Sequence, residues 1–263
     1  MCTVIAAIGV WSAWPLVVAA NRDEALDRPA SPPALYAAGT IADRRVLAPR
    51  DLQAGGTWLG LNDAGLVVAI TNRRVAPEPD RRSRGELVLH ALGASDHRGA
   101  RDRIAALHAD DYNAFHLLMA DRGGAVIVWS DGARLHELAL APGVHAITER
   151  SFEAGPSQRH ATLTELAAAL PRRAPPTRAQ WRSILADHRP HAPADARPPS
   201  DAVVLDAMCV HADPMNYGTR SSTIIELGDA ADAVHLAHAT RRPCEAEFVD
   251  YADAIAALLA PCD

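Results

Sequence analysis

Residues 1–20 carry no charge, and the run is interrupted by Pro15 and by Trp11-Ser12-Ala13-Trp14, which reads as a turn. Two short apolar runs on either side of a turn predict a buried β-hairpin, residues 3–10 against 15–21. A secretory leader or membrane span is the competing reading; no basic stretch opens the run, and the proline breaks it. The same pattern returns further on. Residues 57–61 and 66–71 flank the turn-forming cluster Asn62-Asp63-Ala64-Gly65. Residues 115–120, 125–129 and 134–138 read as a meander punctuated by Arg122-Gly123-Gly124 and Ser130-Asp131-Gly132, which 144–148 is expected to extend. Residues 222–227 and 233–237 make a late pair.

Helical spacing falls between these blocks. Leu163, Leu166, Ala167 and Leu170 repeat at one helical face, as do Phe248, Ala252, Ile255 and Leu259. Residues 84–92 and 97–108 predict a helical pair. From 171 to 200 the chain is rich in Pro, Arg and Ala, with a short helix at 180–187; because strands resume afterwards, this is an excursion within one domain spanning 1–263. Strands early, middle and late, with helices in blocks between, predict an α+β fold of two stacked antiparallel sheets covered by helices.

Composition narrows the chemistry. The net charge of −6 argues against a general nucleic-acid binder. All 26 basic residues are arginine, because the chain holds no lysine. Schiff-base, Ser–Lys and P-loop chemistry all need a lysine amine and are excluded. The α-amino group is the sole primary amine. Cys2, Cys209, Cys244 and Cys262 show no CxxC spacing, so a reduced cytoplasmic protein without a metal is expected. His211, His235 and His238 are scattered, and Cys244 and Cys262 read as idle thiols. No cofactor is called for by any motif, and there is no CxxCH for covalent haem attachment.

Polar clusters stand at the ends of apolar strands: Asn21-Arg22-Asp23-Glu24, Gly55-Gly56-Thr57-Trp58-Leu59-Gly60, Thr71-Asn72-Arg73 and Tyr217-Gly218-Thr219-Arg220-Ser221-Ser222-Thr223. With Met1-Cys2 and Arg28-Pro29-Ala30, these motifs closely resemble the NRDE family, the relatives of the transport and Golgi organisation protein 2. Cys2, the Asn21-x-Asp23 pair and the Gly60–Leu66 segment followed by Asn72 more distantly resemble the choloylglycine hydrolase and penicillin V acylase group. That resemblance implies an αββα sandwich of the N-terminal-nucleophile (Ntn) type. It implies Cys2 as nucleophile, Asp23 beside its amine, Asn72 as an oxyanion donor and Arg220 as a nearby charge. Ala20 stands where those hydrolases carry an arginine, with Arg22 inside the motif instead. Thr148-Glu149 stands where they carry Thr-Asn, so a second amide donor is missing and Glu149 opposes an oxyanion.

The chemistry is coherent on its own terms. An α-amine titrates at about 7.7–8.0 and a thiol at about 8.5, so the neutral amine of Cys2 can serve as base once Met1 is removed. Arginines nearby are expected to raise the thiolate fraction of Cys2. Strand alternation puts Asn21 and Asp23 on one face and Arg22 and Glu24 on the other, which ranks the latter two lower as catalytic groups. Arg220 can equally be an ion-pair partner of Asp23 or Glu24. The expected activity is cleavage of a non-peptide linear amide or related acyl bond. The alternative is a non-enzymatic carrier of haem, lipid or acyl-CoA, as the family's eukaryotic relatives suggest; a third reading is a degenerate hydrolase kept for protein interaction.

Overall fold

The computed structural model describes residues 2–155, 157–171, 173–188 and 205–261. At its centre is the predicted hairpin, β1 (Cys2–Trp11) and β2 (Trp14–Ala25). Around it a seven-stranded antiparallel sheet adds β10 (Gly143–Ile147) beside β1, and β12 (Tyr217–Leu227), β13 (Val234–Ala239) and β14 (Val249–Asp250) beyond β2. A short β11 (His211–Ala212) also pairs with β12. The second sheet has seven strands in sequence order: β3 (Ala30–Tyr36), β4 (Val46–Asp51), β5 (Leu59–Asn62), β6 (Val67–Asn72), β7 (Phe115–Asp121), β8 (Gly124–Ser130) and β9 (Leu135–Leu140).

Alternate residues of the hairpin face different partners. Val4, Ala6, Leu16, Val18 and Ala20 pack against Leu59, Leu61, Val67 and Leu118 of the second sheet. Ile5, Ala7, Val17 and Ala19 pack outward against Leu163, Trp181 and Leu185 of α3 (Gln158–Ala168) and α4 (Arg178–Leu185). A strand covered on both faces reads as a continuous apolar run, which is why residues 1–20 look like a leader segment. On the far side of the second sheet, α1 (Gly85–Leu92) and α2 (His97–Ala105) bury Leu87, Val88, Leu92 and Ile104. The order is helices, sheet, sheet, helices. Helix α5 (Ala252–Leu259) inserts Ile255 and Leu258 into the core between the sheets.

Two expectations change. Residues 144–148 do not extend the meander: β10 leaves it and pairs with β1, Val4 opposite Ile147. Alternation identifies a strand but not its neighbour. Strands β3 and β4 had no sequence prediction, because Pro32 and Pro33 argue against a strand; β3 is an edge strand with a register shift between Ser31 and Ala34, where proline is tolerated. The latter part of the Pro-rich excursion (189–200) and Cys262 lie outside the described residues.

Candidate active site

Cys2 opens β1, and its register partner on β2 is Arg22. Paired residues of an antiparallel ladder put their side chains on one face. Both face a cleft of about 370 Å³ whose walls also include Glu24, Trp58, Asn72 and Arg84. Asn72 reaches it from the end of β6, in the opposite sheet. Strands from two sheets thus end at one place. The wall around Trp58 needs two glycines: a Cβ on Gly56 would lie 2.6 Å from the Gly85 carbonyl carbon, so the Gly55-Gly56-Thr57-Trp58 loop can press against the start of α1 only without side chains there.

Arg22 is fixed in the cleft wall. It donates to Asp51 at 3.1 Å and its guanidinium lies 4.2 Å from the Trp58 ring centroid. Asp51 also accepts from Arg28 at 2.7 Å and from the backbone N–H groups of Gln53 and Ala54. Burial works against its ionisation, but the N–H of Ala54 and the two guanidiniums outweigh it and hold the carboxyl below its usual range. Arg84 is the residue that sequence reasoning missed. It lines the same cleft as Cys2; burial lowers its pKa, while Cys2 and Glu24 pull it upward. It donates to the Ala114 carbonyl at 3.1 Å. Its position in the turn before α1 carried no sequence signal.

The other face of β2 belongs to a closed network. Asp23 is fully buried and accepts from Arg159 at 2.7 Å and from the Thr219 hydroxyl at 2.7 Å. Arg159 also donates to Thr3 and to the Leu205 carbonyl. Asn21 donates to the carbonyls of Leu185 and Met208 at 2.9 and 2.8 Å and accepts from Ser222. Tyr217 donates to the Asp23 carbonyl, and burial followed by the Asp23 charge raises its pKa. The alternation predicted for this strand is therefore real, with a consequence opposite to the ranking drawn from it: Arg22 and Glu24 line the cleft, whereas Asn21 and Asp23 face the helices.

Arg220 occupies neither of these positions. It sits in the irregular step of β12 between Thr219 and Ser221, and donates to the carbonyls of Leu26 and Arg28. Its expected ion pair with Asp23 is replaced by Arg159. Glu149 is buried just past β10, near enough to Arg159 and His160 to pull both pKa values upward. At Arg159 burial is outweighed by Asp23 and then Glu149 and the net shift is upward, whereas at His160 burial wins and the net shift is downward. Neither carboxylate oxygen has a hydrogen-bond partner among the described residues.

The Cys2 thiol also departs from expectation. Burial raises its pKa and the Asp23 charge adds to the rise, opposed first by the positive charge of the chain's terminal amine and then by a backbone hydrogen bond from Asp23 and by Arg22. The upward shift works against thiolate formation, so a nucleophilic role for this thiol calls for a base. Two other histidines are structural. His116 bridges Thr71 and the Ser151 carbonyl, and burial pushes its pKa down to about 3; His238 bonds Thr223, and burial lowers it to about 4. Cys209, His211 and Cys244, expected to be scattered and idle, instead converge with His188.

Two antiparallel sheets between helix layers define an Ntn-hydrolase-like αββα fold. Solved structures with this fold include a Caenorhabditis elegans N-acylethanolamine-hydrolyzing acid amidase ortholog (TM-score 0.57, 13% identity, 88% of this chain and 96% of that one). A mutant of the conjugated bile acid hydrolase from Clostridium perfringens is also similar (TM-score 0.51, 11% identity, 95% and 96% covered). The family described as Transport and Golgi organisation 2 matches residues 1–241, and the chain belongs to it. Its bovine homolog is 29% identical over 238 residues, covering 81% of this chain and 82% of that protein. The mouse homolog is 30% identical over 150 residues, covering 54% of this chain and about half (53%) of its own length.

Proposed function

We propose that this protein is a cysteine hydrolase of the Ntn type, acting on a linear, non-peptide amide or related acyl bond through Cys2. The observation that carries the reading is that Cys2 and Asn72, from strand ends in opposite sheets, line one cleft. After Met1 is removed, the neutral α-amine of Cys2 takes the thiol proton as sulfur attacks the acyl carbon. Asn72 donates to the oxyanion, an interaction typically worth about 10²–10³ in rate. The C–N bond breaks, the ammonium returns its proton to the leaving amine, and water then cleaves the thioester with the amine again as base. No histidine lines the cleft among the described residues, which supports the amine in that role. Asp23, held by Arg159 and Thr219, positions the amine end of β1. Arg220 is assigned a supporting charge through its grip on the Leu26–Arg28 turn.

The cleft lining also bears on substrate. Arg22, Arg28, Arg81, Arg82 and Arg84 line it against Glu24 and Asp51. This excess of positive charge favours an acyl substrate carrying an anionic group over a plain hydrocarbon chain.

The carrier reading draws on a different place, an apolar groove of about 320 Å³ lined by Val10, Val144, Ala146 and Leu170. One experiment separates the two. Because the chain has no lysine, an acylating reagent finds one primary amine. Acetylating it, or adding an uncleavable N-terminal tag, should abolish turnover of a panel of acyl-amides while the protein stays folded. Normal turnover by the blocked protein would overturn the mechanism. No turnover by either form, with equal binding of haem or acyl chains by both, would put the carrier in its place.

A further inference from the structure

Beside the start of β12, where His211 pairs with Gly218, three segments distant in sequence bring two thiols and two imidazoles together, none of them lining the cleft. Cys209 lies in the bend two residues before His211, which opens β11. Their partners are Cys244, in the turn after β13, and His188, just past α4. The two sulfurs are 3.6 Å apart, and His211 Nε2 lies 3.3 Å from Cys244 Sγ and 3.7 Å from Cys209 Sγ. With His188 added, the four ligand atoms all lie within 4.8 Å of one another. Zinc bonds of about 2.3 Å to sulfur and about 2.0–2.1 Å to nitrogen, at tetrahedral angles, place ligand atoms about 3.3–3.8 Å apart. The three separations among Cys209, His211 and Cys244 match edges of such a tetrahedron, and the exposed His188 lies within 4.8 Å of them, close enough to complete it by a small side-chain rotation.

The backbone holds each segment there independently of any ion. The Cys209 N–H donates to the Asp187 carbonyl at 2.9 Å, which fixes the end of α4 beside the thiol. Arg182 of α4 donates to the Pro243 carbonyl at 2.8 Å, which fixes the residue before Cys244. Gly218 lets β12 approach: a Cβ there would lie 2.8 Å from the Val210 carbonyl oxygen. Cys209 is buried, Cys244 and His211 are half-buried, and His188 is exposed, so an ion has a path in from the His188 side.

We propose that His188, Cys209, His211 and Cys244 bind one zinc ion in a closed Cys₂His₂ site. Thiolate and imidazole ligands select zinc over magnesium or calcium, and four protein ligands leave no open position for catalysis. The ion's role is mechanical. It ties α4 and the turn after β13 to the segment leading into β11, where the Val210 N–H donates to Thr219 Oγ1 at 2.8 Å; that hydroxyl in turn donates to Asp23. A zinc here braces the outer face of β2 from behind. The proposal stands whether or not Cys2 is a nucleophile.

The test uses the full-length chain purified in reducing buffer, reconstituted with zinc and dialysed. One equivalent of zinc is expected by elemental analysis, and cobalt in its place should give tetrahedral ligand-field and thiolate charge-transfer bands. Cys244→Ser and Cys209→Ser should lose the thiolate band and the ion, while Cys2→Ser keeps both. If the cysteine variants fail to fold, the exposed His188→Ala serves instead, with affinity reduced at least about tenfold. A strong chelator should lower the Tm of the wild type but not of Cys244→Ser. Absence of zinc after reconstitution, a Cys209–Cys244 disulfide in the reduced preparation, or equal zinc in Cys244→Ser would each overturn the proposal.

Discussion

The two faces of β2 perform different work with similar residues. Outward, Asn21 and Asp23 are buried in a network of backbone carbonyls, hydroxyls and a guanidinium. Inward, Arg22 and Glu24 border a cleft, and Glu24 is left half-exposed with Arg28 3.8 Å away. One strand thus carries alternately a locking residue and a residue available to a ligand. The lesson is that a motif such as Asn-Arg-Asp-Glu is two motifs interleaved, and the period of 2 separates them.

The contrast breaks most clearly at Arg159. Its guanidinium and the Asp23 carboxylate are both fully buried at 2.7 Å, so Arg159→Met strands a buried charge. A loss of about 3–5 kcal/mol is expected in urea unfolding. Asp23→Asn combined with Arg159→Met should recover much of it. A loss below about 1 kcal/mol in the single variant would show that the outer face is not a lock.

Acid sharpens the comparison with a second kind of locked position. His116 and His238 are neutral in the fold, with pKa values near 3 and 4 against an ordinary 6.5. The unfolded chain binds their protons first as pH falls. Stability is therefore full above pH 6.5 and declines below it until each folded pKa is reached, by up to about 1.4 kcal/mol per pH unit for each histidine. His116→Gln should flatten the decline measured between pH 6.5 and 4. An unchanged slope would remove His116 from this account.

The smallest effect is expected on the inward face. Glu24→Gln should change stability by less than about 0.5 kcal/mol, since its side chain is half-exposed and its ion pair is long. It should still change the rate at which iodoacetamide labels Cys2, because a charge at the cleft wall is lost. A large stability loss would place Glu24 with the locked residues and erase the distinction between the faces.

The architecture was largely legible. The hairpin, the meander, both helical blocks and the late strand pair follow from alternation and helical spacing, and the resemblance through Cys2 and Asn72 led to residues of one cleft. What was not legible shares one cause. Arg84, Arg159 and the partner strand of β10 depend on contacts between segments far apart in the chain. The same holds for His188, Cys209, His211 and Cys244, whose spacing resembles no local metal motif.

The sequence by itself determined which residues form strands, which side of each strand a residue takes, and that one primary amine exists. These are local properties, set by the period of the backbone and by composition. Only the tertiary structure decided which side is the cleft and which the lock. Burial and pairing belong to the neighbouring sheet or helix: Arg22 meets Asp51 and Trp58, while Asp23 meets Arg159. A charge's role follows from the partner that the fold brings to it.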